Sequence, residues 1–288
     1  MKRQLKPSYG LTSTQLGQIR QLEAECNQFE GLKMRLNWPS LESRPVEQVN
    51  DFLCYEGKRL VGYLALYGFN QKEVEVSAMT QPQRRRQGIF KQLLAAANRE
   101  LAARNIPDLL FMCERASASG MACLRACGAS YDFSEYKMNL RQLVSAAEFP
   151  AGLSLRPATA EDIVPLSQMD ELCFGVSAEV AQRWLGQDLG EPNHWLLVAE
   201  LGGVRIGKIA ALLGEVEAYI AGVCLLPQHR GRGYGKAILT RTVSQIAAQY
   251  HGVITLEVSC NNDNALTLYR RCGFEVVTGY DYYRLPVR

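Results

Sequence analysis

Apolar positions along the chain follow two rhythms, one of period two and one near 3.6, and these alternate in the same order twice. In the first half, Ser13-Thr14 reads as a helix N-cap ahead of Leu16, Ile19 and Leu22 at helical spacing. Residues 52–55, a turn at 56–59 and residues 60–67 read as strand, turn, strand, and 74–80 as a further strand. A helix over 89–103, a strand over 109–113, a helix over 121–126 and a closing strand over 131–140 complete the half. The second half begins with a strand over 153–156, then helices over 161–174 and 178–185. A hairpin of 195–200 and 206–213 turns through Gly202-Gly203. A central strand over 215–226 leads to a helix whose buried stripe is Leu239, Val243, Ile246 and Tyr250. A strand over 253–258, a helix over 264–271 and last strands over 274–277 and 282–285 follow. Strands 219–226 and 253–258 are joined by a crossover helix, so they run parallel. Each half is therefore expected to be an α+β domain around a mixed sheet.

The recurrence extends to the residues. Shifting the sequence by 145 places Pro82-Gln83 on Pro227-Gln228, Arg85 on Arg230, Gly88 on Gly233 and Lys91 on Lys236, five identities in the ten positions 82–91. Composition alone would give about one. The same gapless shift puts Phe29 on Phe174, Gly62 on Gly207, Cys127-Gly128 on Cys272-Gly273 and Leu140 on Leu285. A whole domain is duplicated. The join is expected at 149–152, where Pro and Gly punctuate the chain, giving domains of 1–148 and 149–288.

Composition narrows the class. The 288 residues are 47% hydrophobic and 21% charged, with a net charge of +3. That balance suits two ordinary globular domains and gives no argument for a nucleic-acid or membrane partner. No apolar run reaches the length of a membrane span, and none follows the charged start Met1-Lys2-Arg3. The nine cysteines contain no Cys-x-x-Cys pair and read as buried free thiols of a cytoplasmic protein. Three unpatterned histidines make no zinc site, and Cys123 and Cys127 alone do not supply one.

Chemistry concentrates between the apolar run 219–226 and the helix that starts near Ala237. There the chain reads Arg230, Gly231, Arg232, Gly233, Tyr234, Gly235, Lys236. A glycine-rich loop at a helix start is a ready anion site: its backbone N–H groups lack intrahelical partners and the helix dipole adds positive potential. It fits neither the Walker loop nor the dinucleotide fingerprint, because Ala237 follows Lys236 and the glycines are spaced two by two. Arg230-x-x-Gly233-x-Gly235 resembles the Arg/Gln-x-x-Gly-x-Gly/Ala motif of the GNAT (Gcn5-related N-acetyltransferase) family. So does the second mark, 34 residues on from Arg230: Asn264-x-x-x-x-Tyr269-x-x-x-Gly273-Phe274 resembles the family's Asn-x-x-x-x-Tyr-x-x-x-Gly-Phe segment.

The resemblance implies two tandem acyl-CoA N-acyltransferase domains, each with a largely antiparallel sheet, a splayed central pair of parallel strands and flanking helices. It implies acetyl-CoA as co-substrate and a primary amine as acceptor. The loop residues 230–236 and Asn264 would hold the cofactor, and the backbone of Val223 and Leu225 would pair with its pantetheine arm as an added strand does. Tyr269 stands where the family often has a tyrosine beside the sulfur and would donate a proton to the leaving thiolate. Tyr219 aligns with a position at which some members carry a basic glutamate, which weakens direct carboxylate catalysis there. Glu215, Glu217 and Tyr219 share one face of a regular strand, so Glu217 could act through a water, with Glu257 a further candidate base. Cys224 has nothing nearby to lower its pKa and reads as an inert strand cysteine.

The first copy departs from the motif. Phe90 replaces Gly235, Arg86 replaces Gly231, Leu124 replaces Tyr269 and Ser119 replaces Asn264. That copy is expected to have lost acyl transfer, and Arg84-Arg85-Arg86 reads as a solvated loop left from the motif. A non-catalytic acyl-CoA-binding module is the rival reading, opposed by intact Tyr269 beside intact glycines. A nucleic-acid role for the arginine run is opposed by the lack of aromatic-interleaved basic stretches.

Overall fold

The computed structural model of the chain describes residues 3–34, 36–68, 72–145 and 149–288. Met1, Lys2 and residues 146–148, just before the expected join, lie outside these. The first half runs β1 (Arg3–Ser8), α1 (Ser13–Glu30), α2 (Trp38–Glu42), β2 (Asp51–Glu56), β3 (Arg59–Tyr67), β4 (Glu73–Thr80), α3 (Ile89–Ala103), β5 (Asp108–Glu114), α4 (Ala118–Ala126) and β6 (Ser130–Leu140). The second runs β7 (Leu153–Pro157), α5 (Ile163–Phe174), α6 (Ala178–Asp188), β8 (His194–Leu201), β9 (Val204–Leu213), β10 (Glu217–Leu225), α7 (Tyr234–Ala247), β11 (Val253–Ser259), α8 (Asp263–Arg271) and β12 (Phe274–Pro286). The 145-residue shift carries β5 onto β11 and α4 onto α8 end to end.

Local chemistry explains the departures from the expected elements. The cap of α1 is Thr12, not Ser13-Thr14: its side chain accepts from Gln15 N while the Gln15 side chain returns to Thr12 N, a capping box. β1 holds one aliphatic residue, Leu5, and so left no alternating signal. It forms because it is an edge strand, where Pro7 removes no necessary bond, and because Arg3 pairs with Glu56 at 2.9 Å. β12 is one strand of 13 residues rather than two.

Two compact units emerge. One is residues 1–134 with 278–288, the other residues 135–277. In the first, β1 to β5 lie in order and the sheet is closed by β12, whose Tyr280 to Pro286 pair antiparallel with Glu114 to Asp108. α3 covers one face over Leu64, Val76 and Phe111, and α1 the other over Leu53, Tyr63 and Ala65. In the second, the order is β7, β8, β9, β10, β11 and then β6, whose Glu135 to Asn139 pair antiparallel with Ser259 to Thr255. α7 and α8 pack on Ala218, Ile220 and Leu256, and α5 and α6 on Leu196, Val198 and Cys224.

The strand over 131–140 was expected to close the sheet of its own half. Its end, 135–140, belongs instead to the unit built by the other half, and β12 makes the reciprocal exchange. A period-two pattern selects which face of a strand is buried but not which edge it joins, and duplication made the β5 and β11 edges alike. Among the described residues no helix is long and apolar enough to cross a membrane.

Candidate active site

The second unit carries the motif residues. β10 and β11 pair in parallel from Glu217↔Val253 to Ile220↔Leu256, and there the pairing stops although both strands continue. The strands part along the rest of β10. Leu226 N bonds to Ile206 O on the β9 side at 2.9 Å, so backbone alternation turns the N–H of Leu225 toward the gap. Val223 lies two residues earlier, beyond a bulge between Ala221 and Cys224.

A single 3-10 turn, Pro227–His229, leads from β10 into the loop. Gly231 sits at φ 73 and Gly233, the N-cap of α7, at φ 83, a region that costs an L side chain about 1–2 kcal/mol. The first turn of α7 thus follows a glycine cap with no side-chain oxygen bonded to it, and its first N–H groups are open to an anion. Gly231, Arg232, Gly233 and Lys236 are exposed, while Tyr234 and Gly235 are partly buried. Arg230 is committed elsewhere: its Nε donates to Leu225 O at 2.8 Å and its Nη2 lies 3.4 Å from Cys173 Sγ. It ties the loop to the end of β10.

α8 brings the second motif alongside. Its N-cap is Asn262, whose side chain accepts from Ala265 N, so Asn264 lies exposed in the first turn. Tyr269 is buried and packs edge-on to Phe274, centroids 6.4 Å apart. Burial, followed by the neighbouring Cys272, pushes the Tyr269 hydroxyl up to about 12, so it stays protonated at neutral pH.

The carboxylates are distributed differently from the expectation. β10 begins at Glu217, so Glu215 is an exposed bend residue outside the strand. Glu217 pairs with Lys137 Nζ of β6 at 2.8 Å and accepts from Thr255 Oγ1. It lies three residues before the end of the parallel pairing, about 10 Å at strand rise. Tyr219 donates to Glu257 Oε2 at 3.2 Å. Lys137, Glu217, Tyr219, Thr255 and Glu257 make a polar, half-buried sheet face. Sequence reading missed Lys137, because its strand was assigned to the other sheet. Cys224 is buried, and burial, with Cys173 adding to it, pushes its thiol up to about 12, which disfavours the thiolate a nucleophile needs. Among the described residues no group of three or more His, Cys, Asp or Glu is placed to hold a metal ion.

The first unit keeps the frame and loses the groups. Its β4–β5 pairing stops at Val76↔Phe111, and a cavity of about 740 Å³ opens there. Arg86 holds φ 60 and Gly88 φ 80, so the loop shape survives without Gly231's counterpart. Arg84 pairs with Glu56 and Arg85 with Glu30, each at 2.8 Å, and Ser119 Oγ donates to the same Glu30 carboxylate. Phe90 lies edge-on to Phe111 at 6.1 Å. On the corresponding face Leu110, Met112 and Tyr282 take the places of Thr255, Glu257 and Lys137. Another cavity, about 620 Å³ and lined by His194, Trp195 and Gln249, lies at the opposite end of the second unit from the loop.

Residues 163–274 match the acetyltransferase (GNAT) family. Across 94% of this chain and 89% of the relative, the sequence is 25% identical to a protein named mycothiol acetyltransferase from Propionibacterium freudenreichii. The fold is that of a GCN5-related N-acetyltransferase from Sphaerobacter thermophilus, with TM-score 0.85 and 19% identity over 99% of this chain and 96% of that one. It is also that of a tandem GNAT protein from the clavulanic acid biosynthesis pathway, with TM-score 0.81 and 17% identity over 100% and 99%. The match to the acetyltransferase (GNAT) family thus falls within the second unit, and the fold of the whole chain is that of tandem proteins of this kind.

Proposed function

We propose that the second half, 149–288, completed by the end of β6, transfers an acetyl group from acetyl-CoA to a primary amine, and that the first half, 1–148, is a degenerate copy. The observation that carries this reading is the coincidence in one unit of three features: strands parting after Ile220, positive-φ Gly231 and Gly233 at the start of α7, and Tyr269 on the adjoining helix. Acetyl-CoA supplies an activated acyl thioester. The α7 amides with Arg232 and Lys236 bind its phosphates, the Leu225 and Val223 backbone orients its arm, and Asn264 flanks it. Tyr269, kept protonated by burial, donates to the departing sulfur. Glu217 is ion-paired and distant, so it receives the amine proton through water rather than directly.

The acceptor binds at the polar face formed by Tyr219, Glu257, Thr255 and Lys137. The likeness to proteins named mycothiol acetyltransferase, over 94% of this chain for one and 70% for another, puts first, in a panel of amines, the one that acetylation would turn into mycothiol. Calorimetric titration with acetyl-CoA, followed by mass-spectrometric detection of acetylated product across the panel, tests the reading. One acetyl-CoA per chain and a product with one amine are expected. No binding would sink it.

A further inference from the structure

β10 leaves regular strand geometry at one place, and a buried charge sits there. Pairing with β11 ends at Ile220, and pairing with β9 slips by one residue between Ala221 and Cys224, with Gly222 at φ 56. Lys208 of β9 reaches this point: a Cβ placed on Gly222 would lie 3.2 Å from its Nζ. Lys208 is 4% exposed and Asp170 of α5 8% exposed, and Nζ lies 2.8 Å from Oδ1 and 2.9 Å from Oδ2 of that carboxylate.

Such a pair is not explained by stability. Desolvating two ions offsets most of their attraction, and apolar residues of similar volume serve a core as well or better. The first unit builds the same place differently, with a tyrosine that donates to buried Asp51, the partner of Arg44. The counterpart of Lys208 is Tyr63, fully buried, and the β3–β4 ladder runs from Gly62↔Thr80 to Tyr67↔Glu75 without a slip. Bulge, buried lysine and intact loop glycines occur together in one unit and are missing together from the other. Bulges gather beside active sites, where they re-aim groups on the strand.

We propose that Lys208 lends positive charge to the thioester carbonyl at the head of the parted strands, with Asp170 as its positioning residue. This rests on the acetyl-CoA reading of the second unit. In the transfer an N–C bond forms to the acyl carbon, the C–S bond breaks, the amine loses a proton and the departing sulfur gains one. Lys208 keeps its own proton throughout and opposes the negative charge that grows on the carbonyl oxygen in a water-poor site.

The test is isotope-edited infrared spectroscopy of the full chain with acetyl-CoA labelled with carbon-13 at the carbonyl. In the native protein the labelled band is expected below its frequency in free acetyl-CoA, and in Lys208→Met it is expected to return to the free value while calorimetry still shows binding. Because that variant leaves Asp170 buried without its counter-ion, Lys208→Met combined with Asp170→Leu carries the same expectation with both charges removed. An unshifted native band, or a shift that survives in either variant, overturns the proposal. Failure of the native chain to bind acetyl-CoA overturns the cofactor reading first, and this inference with it.

Discussion

Lys137 Nζ lies 2.8 Å from Glu217 Oε1, and the two residues come from opposite copies of the duplicated sequence. The strand that carries Lys137 also contributes Met138, fully buried, to the core under α7 and α8. A fragment of residues 149–288 therefore leaves the β11 edge open and a gap in that core. It is expected to aggregate and to show no cooperative melt, whereas a fragment of 135–277 retains the strand and melts cooperatively. Calorimetric scans of both fragments decide this, and equal behaviour would count against the exchanged strand.

Gly235 has ordinary room for a methyl group, bounded by two leucine side chains. An added Cβ would lie 3.4 Å from Leu268 Cδ2 and 3.6 Å from Leu225 Cδ1. In the first unit the same two places are Cys123 and Thr80, which is why Phe90 fits there. Gly235→Ala should bind acetyl-CoA nearly as the native chain does, and Gly235→Phe should not bind it. The native stoichiometry should be one per chain; two would mean that Phe90 is tolerated in a second site.

Tyr269→Phe should lower kcat by about 10²-fold, the scale of a lost general acid, with little change in acetyl-CoA affinity. With its hydroxyl pushed up to about 12, Tyr269 stays a proton donor across the assay range, so an alkaline fall in rate below about pH 10 belongs to another group. Steady-state kinetics from pH 6 to 10 test both points. An unchanged kcat removes Tyr269 as the acid.

Asp162, fully buried at the start of α5, accepts from Arg156 at 2.7 Å, from Arg205 at 2.6 Å and from Thr159 N at 2.8 Å. Arg156 chiefly, helped by Thr159 and Arg205 and against the effect of burial, holds this carboxyl well below the usual range. A depressed folded pKa stabilises the fold above the unfolded value of about 4, and that contribution fades as pH falls below it. Asp162→Asn should destabilise by about 2 kcal/mol at neutral pH, less than a fully buried pair would lose because both arginines are partly exposed, and should flatten the acid limb. Urea melts at several pH values between about 2 and 7 measure this.

Much of the site was legible because its requirements are local. Gly231 and Gly233 answer to positive φ at a helix start, and a short pattern reports it. Glu217 was legible as a strand residue, but not its partner. The gapless 145-residue shift also concealed the bulge. Leu225 and Thr80 obey it, while Tyr219 opposes Leu212 as Glu75 opposes Tyr67, one residue short of the shift. An inserted residue in a strand leaves almost no trace when a neighbouring loop absorbs it.

The sequence by itself determined the duplication, the order of most elements in each half, the loop at α7 and the loss of its glycines from the first copy. Each of these is written in spacing and in residues whose backbone needs are met within a few positions. Tertiary structure alone decided that β6 and β12 exchange units, that Lys137 reaches Glu217, and that Lys208 meets Asp170 across 38 residues of chain. Alternation specifies a buried face and helical spacing a buried stripe. Neither says which edge or which helix will be on the other side, and buried charges find their partners only once that choice is made.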